Sequence, residues 1–300
     1  MTVPLVFRNS APEDLVIRTI LVPATGDDVD STVFAAALDV ARRFGAHLDV
    51  LHVRTDVAEI AAAFVADGGG GMVSAGLIDQ LEEEARQRAE KAHKFFQVFC
   101  ARETLTSGPG GQGGVTTTAA WHEEVGREAH WVVDYGRTSD LLVIGRPVEN
   151  RGVSETLEAA LMGSGRPLLI PGPAPAEPGT TAIAWKSTRE AARAVSLAMP
   201  LLEQAKRIVI LTLAEDDRAE RDSAARLLET LQRHGVAGEV RYLQPSSRST
   251  AETLLASASE IGAGLLVMGG YGHSRLREMV FGGVTEHVLQ AAAVPVLMAH

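Results

Sequence analysis

Residues 264–299 read GLLVMGGYGHSRLREMVFGGVTEHVLQAAAVPVLMA. An apolar strand, 264–269, ends on glycine. A polar loop follows, then a helix over 284–293 and a proline-led apolar strand over 295–299. In an open parallel sheet, ligands lie beyond the carboxyl ends of the strands. Gly269 and Gly272 let backbone approach a ligand with no Cβ in the way. Gly282 and Gly283 leave the helix N-terminus open, where N–H groups and the dipole favour phosphate, and Thr285 adds a hydroxyl.

Working outward, the same pattern occurs earlier in the chain. Residues 140–146 (DLLVIGR) match 264–270 (GLLVMGG), and 167–171 (PLLIP) match 295–299 (PVLMA). The repeats also begin alike, with strands 19–24 and 181–185, alanine-rich helices 30–44 and 188–204, and strands 47–54 and 207–213. The second half continues with helix 218–234, strand 238–243 and helix 249–261. Apolar strands alternating with amphipathic helices predict parallel strands covered on both faces. The expected fold class is α/β, as two tandem doubly wound domains, each with five mainly parallel strands.

Thr19 lies 162 positions before Thr181, whereas Asp140 lies only 124 before Gly264, so the first half carries about 38 additional residues between its first and fourth strands. The surplus falls in the glycine run 68–71 with a helix over roughly 75–100, and in the glycine run 108–114. Neither run follows a strand and opens a helix, so both read as flexible loops. The proline-rich stretch 171–180 marks the boundary. The domains are then 16–172 and 181–300, with 173–180 as a short, stiff linker.

The spacing Gly269-x2-Gly272-x9-Gly282 resembles the glycine motif of the universal stress protein family, as do the VMGG strand, the arginine-bearing loop and the closing VPVL strand. The resemblance covers both halves and implies an adenine nucleotide alpha hydrolase-like fold. It also implies that the last strands, 167–171 and 295–299, pair across a pseudo-twofold axis, so that one chain mimics a dimer. A homodimer of the whole chain stays open. In family members that bind ATP or AMP, the motif holds phosphates and ribose, and the ends of the first two strands hold adenine and ribose. Carried onto this chain, the nucleotide site comprises Ala184, Trp185 and Lys186, then Leu213 and Ala214, then Gly269, Gly272, His273, Gly282, Gly283, Val284 and Thr285. Two positions depart from the family pattern. Lys186 stands where ATP binders commonly have Asp, and Gly283 stands where Ser or Thr commonly follows the last glycine. An ammonium accepts no hydrogen bond, which leaves three readings: Lys186 reaches a phosphate, the pocket prefers another ligand, or it binds weakly.

The first half departs further. Arg146-Pro147-Val148 follows Gly145, and the second motif glycine is missing. Gly145 to Pro167 spans 22 positions against 26 from Gly269 to Pro295, and Met162-Gly163-Ser164-Gly165 does not align with the loop. Pro23-Ala24-Thr25-Gly26 replaces the expected acidic turn. This half reads as structural, or as a site for another ligand.

Several residues have plainer readings. A strand-end tryptophan such as Trp185 is more often core than a stacking platform. The His122–His130 spacing makes no tight metal pair, so no metal site is expected. Glu82-Glu83-Glu84, followed by Lys91, His93 and Lys94, reads as a helix whose charge order suits its dipole. Ser274, Arg275, Arg277 and Glu278 read as a solvated face.

The chain of 300 residues has 46% hydrophobic and 22% charged residues and a net charge of −10. That balance is globular, and the charge disfavours nucleic-acid and anionic-membrane partners. Residues 1–15 do not read as a signal peptide, and the apolar run 291–299 is far short of the ~20 residues that span a bilayer. Cys100 is the only cysteine, beside Phe95, Phe96 and Phe99, and reads as a small buried residue in a protein of the reducing cytoplasm. No G-x-S-x-G, H-E-x-x-H or Walker A pattern occurs, so no catalytic residue is assigned and a dedicated enzyme is disfavoured. The leading expectation is a stress-response protein that binds ATP or AMP in its second half. The alternatives are a nucleotide-independent interaction protein of the same fold, or a slow ATPase whose metal, Mg included, the sequence does not name.

Overall fold

The computed structural model describes residues 16–58, 75–108, 116–146, 153–173, 179–213, 218–244, 248–270 and 283–300. In chain order the first half gives β1 (Thr19–Pro23), α1 (Val29–Phe44), β2 (His47–Arg54), α2 (Ala75–Glu103), β3 (Thr106–Ser107), β4 (Thr118–Val125), α3 (Glu128–Gly136), β5 (Leu141–Val143), α4 (Glu155–Gly163) and β6 (Leu168–Ile170). The second half gives β7 (Thr180–Ala184), α5 (Arg189–Leu202), β8 (Arg207–Leu213), α6 (Arg218–Arg233), β9 (Gly238–Leu243), α7 (Thr250–Glu260), β10 (Ala263–Gly269), α8 (Gly283–Ala291) and β11 (Val296–Ala299).

Local chemistry sets several of these boundaries. Val33, Phe34, Ala37, Leu38, Val40 and Ala41 fill the buried face of α1, and Gly45 ends it at φ 63°, where a Cβ would be strained. Thr188 caps α5 by accepting from the Ala191 N–H. Ser249 and Glu252 form a reciprocal capping box on α7. Strands such as β8 (RIVILTL) are apolar on both faces because helices cover both.

The strands form one 11-stranded sheet in the order β3-β4-β2-β1-β5-β6-β11-β10-β7-β8-β9. Helices α1, α2, α5 and α6 pack on one face. Helices α3, α4, α7 and α8 pack on the other. All pairings are parallel except the central one, where β6 runs antiparallel to β11 with Val296 opposite Ile170, Leu297 opposite Leu169 and Met298 opposite Leu168. The pairing of the last strands therefore holds. Two features go beyond the sequence reading: the half-sheets are continuous, and the two-residue β3 adds a sixth strand to the first half.

Pairing beside the second strand is alike in the two halves. The Ala24 N–H donates to Leu51 O and the Trp185 N–H to Leu211 O, each at 2.8 Å. The next residues, His52 and Thr212, carry the buried side-chain atoms that lack a hydrogen-bond partner among the described residues, Nε2 and Oγ1.

One local expectation changes. Helix α2 begins at Ala75, so Glu82-Glu83-Glu84 lie well inside it, and its first turn holds no acid. Their contribution is local pairing, with Arg86 bridging Glu83 and Glu90. Cys100 is buried, and burial pushes its thiol pKa up. His122 does not meet His130. Its Nε2 lies 2.9 Å from Asp49 Oδ1, and His47 Nε2 approaches the same oxygen at 3.5 Å. No group of three metal-ligating side chains occurs among the described residues. Likewise no described helix is long and apolar enough to cross a membrane.

Two outcomes are expected. Leu297 is fully buried at the seam. Leu297→Ala should cost about 2–5 kcal/mol. Urea unfolding of the chain should stay a single, shifted transition, whereas two transitions with one unmoved would contradict a shared seam. Burial alone would raise the Asp49 pKa, but hydrogen bonds from His47 and His122 bring it below the ordinary value. Its contribution is present above the unfolded pKa of about 3.9 and is lost as pH falls further. Asp49→Asn should therefore cost about 1 kcal/mol at neutral pH. That difference should shrink in denaturation curves taken at about pH 3.

Candidate functional site

The carboxyl ends of β7 and β10 are neighbours, with Met268 opposite Ala184. The connection after β7 crosses towards β8 and the one after β10 towards β11, so a crevice opens where the strand order switches. Ala184 and Gly269 lie at the carboxyl ends of these two strands, and Trp185 and Lys186 continue the chain from Ala184. Ala214, Gly272, His273 and Gly282 lie outside the described residues.

Trp185 is half-buried against the core of the α5–α6 face, and its indole N–H donates to Ser223 Oγ at 3.1 Å. Its ring is fixed as a wall beneath α6. Lys186 is exposed at the start of the loop. Leu213, at the end of β8, packs into the core of the opposite face.

Gly269 has a different reason for being glycine than the sequence reading gives. A Cβ there would fall 2.5 Å from Ala191 N and 2.7 Å from Glu190 C, so the missing side chain admits the first turn of α5. Gly283 is the opposite case. It is exposed, and a Cβ would meet nothing within 4 Å. Val284 is half-buried, and Thr285 is buried at 5% exposure.

Two acids that sequence reasoning missed stand close by. Glu190, in the first turn of α5, is 7% exposed and pairs with Arg189 at 3.0 Å. Burial would raise its pKa, but its own backbone N–H, Arg189 and the nearby His300 together hold it below the ordinary range. Glu220 of α6 accepts from the Ser187 N–H at 3.1 Å. A carboxylate thus does reach the loop after β7, from a helix rather than from the strand end. Its position in an acidic first turn was the available signal, but that signal did not say which loop the turn would meet.

The matching corner of the first half is filled by its own side chains. Asp30, 2% exposed, accepts from the Thr25 N–H at 2.9 Å, the Thr25 hydroxyl at 2.8 Å and the Gly26 N–H at 2.8 Å. Ser154 caps α4 by accepting from the Leu157 N–H, and Glu155 and Glu158 occupy the first turn. Burial and then the Asp30 charge push the Glu128 pKa up, with the Thr156 hydroxyl pulling it back. Met162 and Gly163 close α4 at its other end. Loop amides satisfied by a carboxylate, beside a capped helix start bearing acids, form a poor anion site.

Residues 183–300 match the model of the Universal stress protein family. Among solved structures, a universal stress protein from Archaeoglobus fulgidus is 17% identical, covers 94% of this chain and 97% of its own, and has a TM-score of 0.66. A candidate universal stress protein from Pseudomonas aeruginosa is 16% identical, covers 95% and 94%, and has a TM-score of 0.51. A universal stress protein in complex with cAMP is 17% identical over 52% of this chain and 96% of its own, at a TM-score of 0.29. No curated protein matches the chain. At these identities the likeness speaks for the fold.

The two glycines separate architecture from access. Gly269→Ala should lower the stability of the ligand-free protein by about 1–3 kcal/mol. Gly283→Ala should leave it unchanged or raise it by up to about 1 kcal/mol. Thermal unfolding of the two variants checks the contrast, and equal losses would contradict it.

Proposed function

We propose that the chain is a two-domain protein of the universal stress type, with domains 16–172 and 181–300 joined by 173–180. In this reading the second domain binds an adenine nucleotide, ATP or AMP, and the first does not. The observation that carries it is the contrast between two helix starts. Helix α8 opens on the exposed Gly283, whereas α4 is capped by Ser154 and, in the same half, the loop after β1 is closed on Asp30. A helix start that faces solvent offers N–H groups and a positive dipole end to phosphate.

The roles divide accordingly. Gly272, Gly282 and Gly283 receive the phosphates, with His273 and Val284 beside them. Ala184, Leu213 and Ala214 border the base and ribose, with Trp185 as a fixed wall. Lys186 supplies a positive charge in a chain whose net charge is −10. Gly269 contributes by letting α5 pack close, and Thr285 by anchoring α8. A cytoplasmic setting fits the single, buried thiol.

One observation favours the rival reading of a nucleotide-free interaction protein: Glu190 and Glu220 bring two carboxylates to the crevice. Like charges oppose a triphosphate more than a monophosphate.

Mass spectrometry of the ligand released on denaturing fresh protein should find stoichiometric adenine nucleotide, and added ATP or AMP should raise the melting temperature. Gly272→Val and Gly282→Val should abolish that shift while the proteins stay folded. No released ligand and no shift at millimolar nucleotide would favour the interaction protein. Undiminished binding by both variants would mean that the site is elsewhere.

A further inference from the structure

Arg146 follows β5 at the position that Gly270 takes after β10, in the matched runs DLLVIGR and GLLVMGG. Its side chain bridges the two halves. Nη1 donates to Leu289 O at 2.9 Å, and Nη2 donates to Val294 O at 3.3 Å and Pro171 O at 3.1 Å. Nε also donates to Pro171 O, at 3.3 Å. Leu289 is in the last turn of α8, and Val294 lies in the turn that leads to β11. One half-buried guanidinium therefore gathers carbonyls at the C-terminal end of the helix that begins at Gly283.

The reciprocal contact is unlike it. A Cβ on Gly270 would fall 2.9 Å from Leu161 Cδ2 of α4, so there backbone meets an apolar side chain. The first half grips the second half's last helix with a charged fork, and among the described residues no second-half side chain returns the grip.

Helix α8 has 9 residues. It is thus about 13 Å long, too short to be stable by itself, and its place depends on what holds it. Val288 and Leu289 seat it on the sheet. Its last carbonyls have no partners within the helix, and a cation there also complements the dipole. A planar fork can meet several carbonyls in fixed directions, which a lysine ammonium cannot.

We propose that Arg146 is a positioning residue through which the N-terminal half holds α8 in place and so sets the affinity of the α8 N-terminus for its anionic ligand. Its ligand arm rests on the nucleotide reading, and its helix arm does not. The test uses the full chain with Arg146→Met and Arg146→Lys. Hydrogen–deuterium exchange without nucleotide reports the amides of 287–290, whose helical bonds reach back to the first turn, and calorimetry reports ATP binding.

In Arg146→Met, exchange in α8 should rise about tenfold or more while β1 and β2 keep wild-type protection, and the Kd for ATP should weaken by about tenfold. Arg146→Lys should lie between, keeping the charge and losing the fork. Unchanged α8 exchange, or an equal rise throughout the sheet, would overturn the proposal. A rise confined to α8 with an unchanged Kd would overturn its control of the ligand end. If the wild type binds no ATP, the nucleotide reading fails separately, and the exchange data alone decide whether Arg146 holds α8.

Discussion

The antiparallel pairing of β6 with β11 is the constraint on which the architecture rests. Leu168, Leu169 and Ile170 face Val296, Leu297 and Met298 across it, and all are buried. Unpaired, either strand would be a short apolar edge with its backbone groups open to any other strand. Paired, they merge the two half-sheets, and each hydrophobic face runs through the join: Leu169 and Leu297 belong to one core, and Leu168 and Met298 to the other. The seam also reverses direction, so the carboxyl ends of the first half's parallel strands and those of the second lie on opposite margins of the sheet. Whatever happens at one crevice reaches the other through packed helices and not by direct contact.

The two crevices differ in how their polar groups are satisfied. In the first half a buried aspartate accepts from the loop amides and a serine caps the helix, so the protein meets its own hydrogen-bonding needs. In the second half the buried acid, Glu190, turns to Arg189, and the Gly283 end of α8 is exposed. A loop whose donors have internal partners has little to gain from an anion, whereas an open helix start gains hydrogen bonds and charge complementarity. The difference lies in Asp30, Ser154 and Gly283 as much as in the count of glycines.

Much of the fold was legible in the sequence because it is written in runs. Strands 47–54, 207–213 and 238–243 are found at their expected bounds: β8 is a continuous buried apolar stretch, whereas β2 and the edge strand β9 mix polar and apolar residues. The crevice was legible only in outline. Gly269 was read as access for a ligand because its neighbour across space, the first turn of α5, is 78 positions earlier in the chain. Glu190 and Glu220 were missed for the same reason, since a helical acid gives no sign of the loop it will meet. The reach of Arg146 was equally hidden: its position looked like damage to a glycine motif, and only the pairing of β6 with β11 brings Leu289 and Val294 within its span. The helix expected over roughly 75–100 is α2, Ala75–Glu103, but its glutamate run was read as a helix beginning when it lies inside the helix.

The connection between the halves gives the seam one more consequence. Two separate chains meeting through such strands would associate in proportion to their concentration, and both would have to carry the same residue at every matched place. Tethering makes the encounter intramolecular, with an effective concentration on the order of millimolar, and removes the requirement of sameness. Arg146 on one side and Gly270 on the other are residues that no symmetric pair of identical subunits could hold at once. A single polypeptide thus keeps the geometry of a dimer while gaining the freedom of a heterodimer, in which one partner can specialise as support and the other as site.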